Sequence, residues 1–176
     1  MSKPFFQVTI IGSSGTLCND KLYNFGEELG EKLAKIEVHL FSGALNGFME
    51  AVFKGFSSVK DRKTVCTGIS PYFNKDKANP YCDIVIPTGM GHTRNAILIN
   101  SGDIIVAAGG GAGTLSELAI AWQFGKKVLC YDQAPGWAEA TAGIVLDSRK
   151  TDLLIPVSST DEICKEIEME RMLRDF

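Results

Sequence analysis

Between Ala107 and Glu117 the chain reads AAGGGAGTLSE, with glycine at positions 109, 110, 111 and 113. The stretch follows the apolar run DIIVAA (103–108) and leads into TLSELAIAWQF, a helix-forming sequence. Glycines at such a junction let backbone amides approach a ligand, and the N-terminus of the following helix favours negative charge. The chemistry on offer is anion binding. A second description fits the same residues: Thr114 and Glu117 have the spacing of a capping box, with Thr at N-cap and Glu at N3. Capping accounts for those two residues but not for the run of small residues before them, and local sequence leaves both descriptions open. A second constellation lies in GMGHTRNAILINSGD (89–103), where Arg94 opens a helix whose apolar face includes Ile97 and Leu98. A cation is electrostatically unhelpful at a helix start. A phosphate or carboxylate partner would make sense of it; the alternative is an ordinary surface ion pair. His92 is a lone loop histidine and a weak candidate for a general acid.

The elements that must position these residues alternate along the chain. Apolar, strand-like runs cover FFQVTII (5–11), EVHLF (37–41), KTVCTGI (63–69), DIVI (83–86), DIIVAA (103–108), KKVLCY (126–131) and LLIPV (153–157). Several are β-branched and almost continuously apolar, as strands buried on both faces are. Between the first two, Leu22, Phe25, Leu29 and Leu33 recur at helical spacing. Further helices are expected over 46–57, 91–101 and 114–124, and a last one after Ser159, where Ser159 and Glu162 have capping-box spacing. This alternation predicts a single α/β domain over 1–176, a Rossmann-like open and mostly parallel sheet with helices on both faces. Ligands in such sheets bind beyond the carboxyl ends of the strands. Three loops there carry glycine: GSSG (12–15), SGALNG (42–47) and GGGAG (109–113).

Several function classes are excluded by what is missing. A dinucleotide fingerprint needs GxGxxG after the first strand and an acidic residue ending the second; here the loop is Gly12-Ser13-Ser14-Gly15 and the second strand ends at Phe41-Ser42. No GxxxxGK[ST] occurs, so a Walker-type ATPase is not supported. The chain of 176 residues is 45% hydrophobic and 22% charged, with net charge −3 and no basic tract, which argues against nucleic acid but permits a small phosphorylated ligand. Five scattered cysteines without a CxxC pair read as reduced thiols, and two separated histidines suggest no metal site. The N-terminus lacks a signal-peptide pattern and no apolar run approaches about 20 residues. No membrane association and a cytoplasmic location are expected.

Taken together, these residues resemble the LOG ("lonely guy") cytokinin nucleotide phosphoribohydrolases and the related molybdenum-cofactor carrier proteins. Their GGxGTxxE signature is matched by Gly110-Gly111-Ala112-Gly113-Thr114-Leu115-Ser116-Glu117, and their preceding arginine by Met90-Gly91-His92-Thr93-Arg94-Asn95. GSSG and SGALNGFMEAVFKG resemble the family's GG…G(L/V)MEA…G region, so the likeness runs from about residue 7 to residue 131. Gly109 stands where LOG enzymes have proline, Ser116 where they have a first glutamate, and Ala44, Leu45 and Asn46 where relatives have glycines. These departures place the chain nearer the carrier branch. The resemblance implies a nucleoside 5′-monophosphate losing its base to give ribose 5-phosphate. Glu117 would stabilise the sugar cation or orient water, Arg94 would position ribose or phosphate or assist departure of the base, and Gly110, Gly111, Gly113 and Thr114 would hold the phosphate. Gly12, Ser13, Ser14 and Gly43 are carried over as further nucleotide-binding positions. No cofactor or metal is required for that reaction. The alternative it implies is a non-catalytic carrier of a nucleotide-derived cofactor such as molybdenum cofactor. Either way, a homo-oligomer, dimer or tetramer, is expected.

Overall fold

The chain is described by a computed structural model covering residues 5–148 and 153–174. The expected alternation forms one seven-stranded sheet: β1 (Gln7–Gly12), β2 (His39–Ser42), β3 (Cys66–Ser70), β4 (Ile84–Pro87), β5 (Ile104–Ala108), β6 (Val128–Tyr131) and β7 (Leu154–Val157). The order is β4-β3-β2-β1-β5-β6-β7, and each neighbouring pair is parallel. Helices α1 (Asp20–Lys35), α2 (Phe48–Ser58) and α6 (Thr160–Arg174) pack on one face, and α3 (Asn95–Ser101), α4 (Ala112–Phe124) and α5 (Trp137–Thr141) on the other. Strand order reverses between β1 and β5, where Gly12 lies opposite Ala108. That is the position at which such sheets open a crevice beyond their carboxyl ends.

Burial follows the periodicity. Leu22, Leu29 and Leu33 of α1 join Phe48, Phe53 and Phe56 under the first face, while Leu98, Leu118 and Trp122 fill the second. Asn19 caps α1 by accepting from the Leu22 amide at 2.9 Å. At α6 the Ser159 hydroxyl accepts from the Glu162 amide at 3.2 Å, and the Glu162 carboxylate accepts from the Ser158 amide at 2.7 Å, so that capping box forms one residue wider than the usual pattern. Three sequence expectations shift. The helix expected over 91–101 splits into a 3-10 turn (Gly91–Arg94) followed by α3. α4 begins two residues before Thr114, at Ala112. The five-residue α5 was not expected, since one short turn carries too little periodicity to register.

α1 and α2 approach each other closely enough that glycine is required at the contact. A Cβ on Gly30 would overlap the Val52 carbonyl, and one on Gly55 would overlap the Glu27 carbonyl. Both obstacles are backbone, which cannot swing aside as a flexible side chain would. Gly30→Ala and Gly55→Ala should therefore each lower unfolding free energy by about 1–3 kcal/mol, the usual cost of overpacking. Denaturant unfolding measures it; a stability gain, as expected for Gly→Ala at an uncrowded helix position, would contradict the contact.

Candidate functional site

Arg94 closes the 3-10 turn and stands at the N-cap of α3; Glu117 lies in the second turn of α4. The two helices pack side by side, and the side chains meet between them. Arg94 Nη1 donates to Glu117 Oε1 at 3.0 Å and also to the Asn95 side-chain oxygen. The residues are 4% and 7% exposed. Gly43, from the loop after β2, makes room for the guanidinium, because a Cβ there would overlap Nη2. Arg94 Nε is buried and has no acceptor among the described residues. Burial raises the Glu117 carboxyl above its usual range, and Arg94, with a smaller contribution from His92, opposes the rise. A buried carboxylate with a raised pKa beside a fixed cation is suited to proton transfer and to stabilising developing positive charge.

The glycine loop sorts its backbone groups by direction. Gly109 and Gly110 have φ of +60° and +96°, which side-chain-bearing residues rarely adopt. Their carbonyls are held at the start of α5, Gly109 by the Ala138 amide at 2.9 Å and Gly110 by the Trp137 amide at 3.1 Å. The Gly110 amide donates to Ser13 Oγ at 2.8 Å. The N-cap of α4 is Gly111, with no side-chain cap. The amides of Gly111, Ala112, Gly113 and Thr114 have no acceptor among the described residues, as expected of a helix's first turn. Ala112 and Gly113 are exposed, and nothing lies within 4 Å of where a Gly113 Cβ would stand.

The capping box read from Thr114 and Glu117 is not formed. Thr114 sits inside the first turn, its hydroxyl bonded to the Gly12 carbonyl at 3.3 Å, and Glu117 turns inward to Arg94. The tertiary partners of both side chains displace the local pairing.

The sequence-derived residues thus converge in two adjoining groups. Gly111, Gly113 and Thr114 present bare amides, and Arg94, Glu117 and Gly43 form the buried pair and its seat. Ser13 and Gly110 hold the loop in shape through one hydrogen bond, with Ser13 fully buried. Gly12 also acts by close approach, since a Cβ there would overlap the Ala108 carbonyl. Ser14 is half-buried at the head of the turn Gly15–Leu17, and Leu17 reaches over Gly111. The loop-to-loop bond from the Gly15 amide to the Asn46 side chain, at 2.9 Å, was not foreseen, nor was the anchoring by Trp137 and Ala138. Both are contacts between segments distant in sequence, and only Gly136 in APGWAEA marks the second.

Among the described residues no three His, Cys, Asp or Glu side chains converge as a metal site, and no helix is long and apolar enough to cross a membrane. All five cysteines are unpaired, and burial pushes the thiols of Cys66, Cys82 and Cys130 up to about 12.

Known proteins share this fold. The sequence profile of the SLOG cluster4 family matches residues 5–164. An uncharacterised protein of Archaeoglobus fulgidus is 39% identical over 122 residues, 69% of this chain and 77% of that protein. The X-ray structure of TM1055, a structural-genomics target, superposes with a TM-score of 0.83 at 27% identity, covering 93% of this chain and 99% of that one. The molybdenum cofactor binding protein of the phototrophic bacterium Rippkaea orientalis gives a TM-score of 0.81 at 25% identity, over 96% and 98% of the two chains.

The raised Glu117 pKa has a consequence for stability. Because the native state holds this proton more tightly than the unfolded chain, the resulting stabilisation is complete below about pH 4.5 and is lost as pH rises through the raised value. Glu117→Gln has no such proton. The difference in unfolding free energy between variant and wild type should therefore move in the variant's favour as pH increases from 4.5. Denaturant unfolding across a pH series measures it, and a difference independent of pH would contradict the burial argument.

Proposed function

The chain belongs to the SLOG cluster4 family, and on that premise we propose that it binds a phosphorylated, nucleotide-like small molecule and hydrolyses its N-glycosidic bond. The substrate is a nucleoside 5′-monophosphate, and the products are free base and ribose 5-phosphate. The observation that carries the proposal is the buried Arg94–Glu117 pair, placed one helical turn from four bare amides. The amides of Gly111 to Thr114 take the phosphate, where the helix end favours an anion. Glu117 follows Thr114 by one turn, about 5 Å along the axis, which suits a phosphate at one end of a ribose and the anomeric carbon at the other.

As the bond from the anomeric carbon to the base breaks, its electron pair leaves with the base and positive charge builds on the sugar, as in glycoside hydrolysis. The Glu117 carboxylate stabilises that charge and takes the proton of the attacking water as its hydroxyl bonds the anomeric carbon; that proton then passes to the ring nitrogen of the departing base, which leaves Glu117 ionised again. Arg94 holds Glu117 in place. Its Nε is buried without an acceptor among the described residues, and it would donate to a ribose or phosphate oxygen once ligand entry displaces what covers it. The reaction needs no cofactor or metal. Gly12, Ser13 and Gly110 shape the loop for this purpose, and Ser14 lines the mouth. Scattered cysteines without a paired pattern fit a cytoplasmic protein, and a net charge of −3 without a basic tract fits a small-molecule ligand rather than nucleic acid.

One observation favours a second reading. The Rippkaea orientalis protein that resembles this chain over nearly its whole length is a molybdenum cofactor binding protein. The same bare amides and the open space at Gly113 would suit the phosphate of a nucleotide-derived cargo held without cleavage.

Incubation with a panel of nucleoside 5′-monophosphates, with free base and ribose 5-phosphate quantified, separates the two. Release is expected for at least one nucleotide, and Glu117→Ala should lower the rate by about 10²–10⁴-fold. The corresponding nucleosides, which lack phosphate, should be poor substrates. No release from any nucleotide would refute the hydrolase, and native mass spectrometry of co-purified ligand would then test the carrier.

A further inference from the structure

Phe73 follows β3 and is 87% exposed, more than any other large apolar side chain among the described residues. A single exposed hydrophobe needs no explanation. Phe73 differs in being held in place. Three consecutive ring carbons, Cδ1, Cε1 and Cζ, crowd the position where a Cβ on Gly89 would stand, and Gly89 has φ of +65°. Backbone bonds fasten the two segments around that seat. The Gly89 amide donates to the Tyr72 carbonyl at 3.1 Å, the Gly91 amide to the Pro71 carbonyl at 3.0 Å, and the Thr88 amide to the Ser70 carbonyl at 3.0 Å. The chain thus fixes an aromatic ring along one edge and leaves the rest of it to solvent.

The ring stands on the same rim as the candidate site. At the carboxyl ends of the strands, the glycine loop follows β5, Gly43 follows β2, and Phe73 follows β3 in the order β3-β2-β1-β5. Neighbouring strands lie about 4.8 Å apart, so the end of β3 is about 10 Å from that of β1. That is the scale of a nucleotide's reach from its phosphate to its base. Gly91 borders an open groove of about 370 Å³ under Phe73, and it also opens the turn that closes with Arg94. Tyr72 and Lys77 line this groove and a second one of about 270 Å³. The other wall of the second groove is Leu45 and Asn46, from the loop that seats Arg94 at Gly43. Asn79 ties the two loops together, its amide donating to the Ala44 carbonyl at 2.9 Å and its side chain to the Leu45 carbonyl at 3.2 Å.

We propose that Phe73 is the platform on which the base of the nucleotide stacks, which makes it the residue that selects for ligands carrying an aromatic base; this rests on the nucleotide reading given above. A ligand with its phosphate at Gly111 to Thr114 and its sugar at Glu117 extends away from β5, past Arg94, toward β3. There it meets an exposed π face. Stacking on an aromatic side chain is open to every base, because each has such a face of its own. A ring already seated against Gly89 loses little freedom when a ligand covers it, so more of the contact appears as affinity.

Calorimetric titration of wild type, Phe73→Ala and Phe73→Trp tests the proposal. The probes are pseudouridine 5′-monophosphate and formycin 5′-monophosphate, whose carbon-linked bases resist hydrolysis, and ribose 5-phosphate, which has no base. Phe73→Ala should weaken the tighter of the two nucleotides by about 5- to 150-fold, the loss of one base–aromatic stack. Its affinity for ribose 5-phosphate should equal that of wild type, and Phe73→Trp should bind the nucleotide at least as tightly as wild type. An unchanged nucleotide affinity in Phe73→Ala overturns the platform while leaving the phosphate site standing. Equal weakening of nucleotide and ribose 5-phosphate overturns it as well, as does a loss in Phe73→Trp as large as in Phe73→Ala. If wild type binds none of the three probes, the nucleotide reading fails and the platform falls with it.

Discussion

The rest of the site depends on a buried ion pair. Removing a guanidinium and a carboxylate from water costs several kcal/mol per ion, and the recovered attraction seldom exceeds what a well-packed apolar pair would give. Here the geometry is incomplete as well, because Arg94 Nη1 divides itself between Glu117 and Asn95 while Nε has no acceptor among the described residues. Stability alone does not explain such an arrangement. Its surroundings are nevertheless built around it, with Gly43 cleared of a side chain and α3 accepting a cation at its positive end. A fold that tolerates these costs is what the proposed catalytic role of the pair would require.

The glycine loop solves a related problem. A chain leaving β5 must turn sharply and present amides, not carbonyls, to the crevice. α5 draws the carbonyls of Gly109 and Gly110 to one side, and Ser13 fixes the Gly110 amide. What remains are the first amides of α4, undirected by any side-chain cap and therefore available to an anion. The proposed anion cradle and the helix start are one structure, and α5, only five residues long, is part of it.

Much of this was legible in the sequence, for identifiable reasons. Strands such as DIIVAA are continuous apolar runs because a parallel sheet buries both their faces, and the crevice follows from strand order. Arg94 and Glu117 were singled out by the family resemblance, and the structure brings their side chains together at 3.0 Å. The N-cap was misplaced because Thr114 and Glu117 satisfy a local rule that tertiary partners override: the Gly12 carbonyl claims one and Arg94 the other. Ser13 was read as facing the ligand because a serine in a glycine loop carries no mark of whether its hydroxyl turns outward or back to the chain. The exposure of Ile84, Ile86 and Ile97, each nearly half, was not foreseen, because an apolar run marks residue type and not what covers it.

The central claim is that the amides of Gly111, Ala112, Gly113 and Thr114 form an anion site while the Gly110 amide is already committed to Ser13. Titration of isotopically labelled protein with inorganic phosphate, followed by ¹H–¹⁵N correlation spectra, tests it residue by residue. Saturable shifts should concentrate at those four amides, with Gly110 moving much less. The absence of saturable shifts there, or saturation at another surface, would contradict the account.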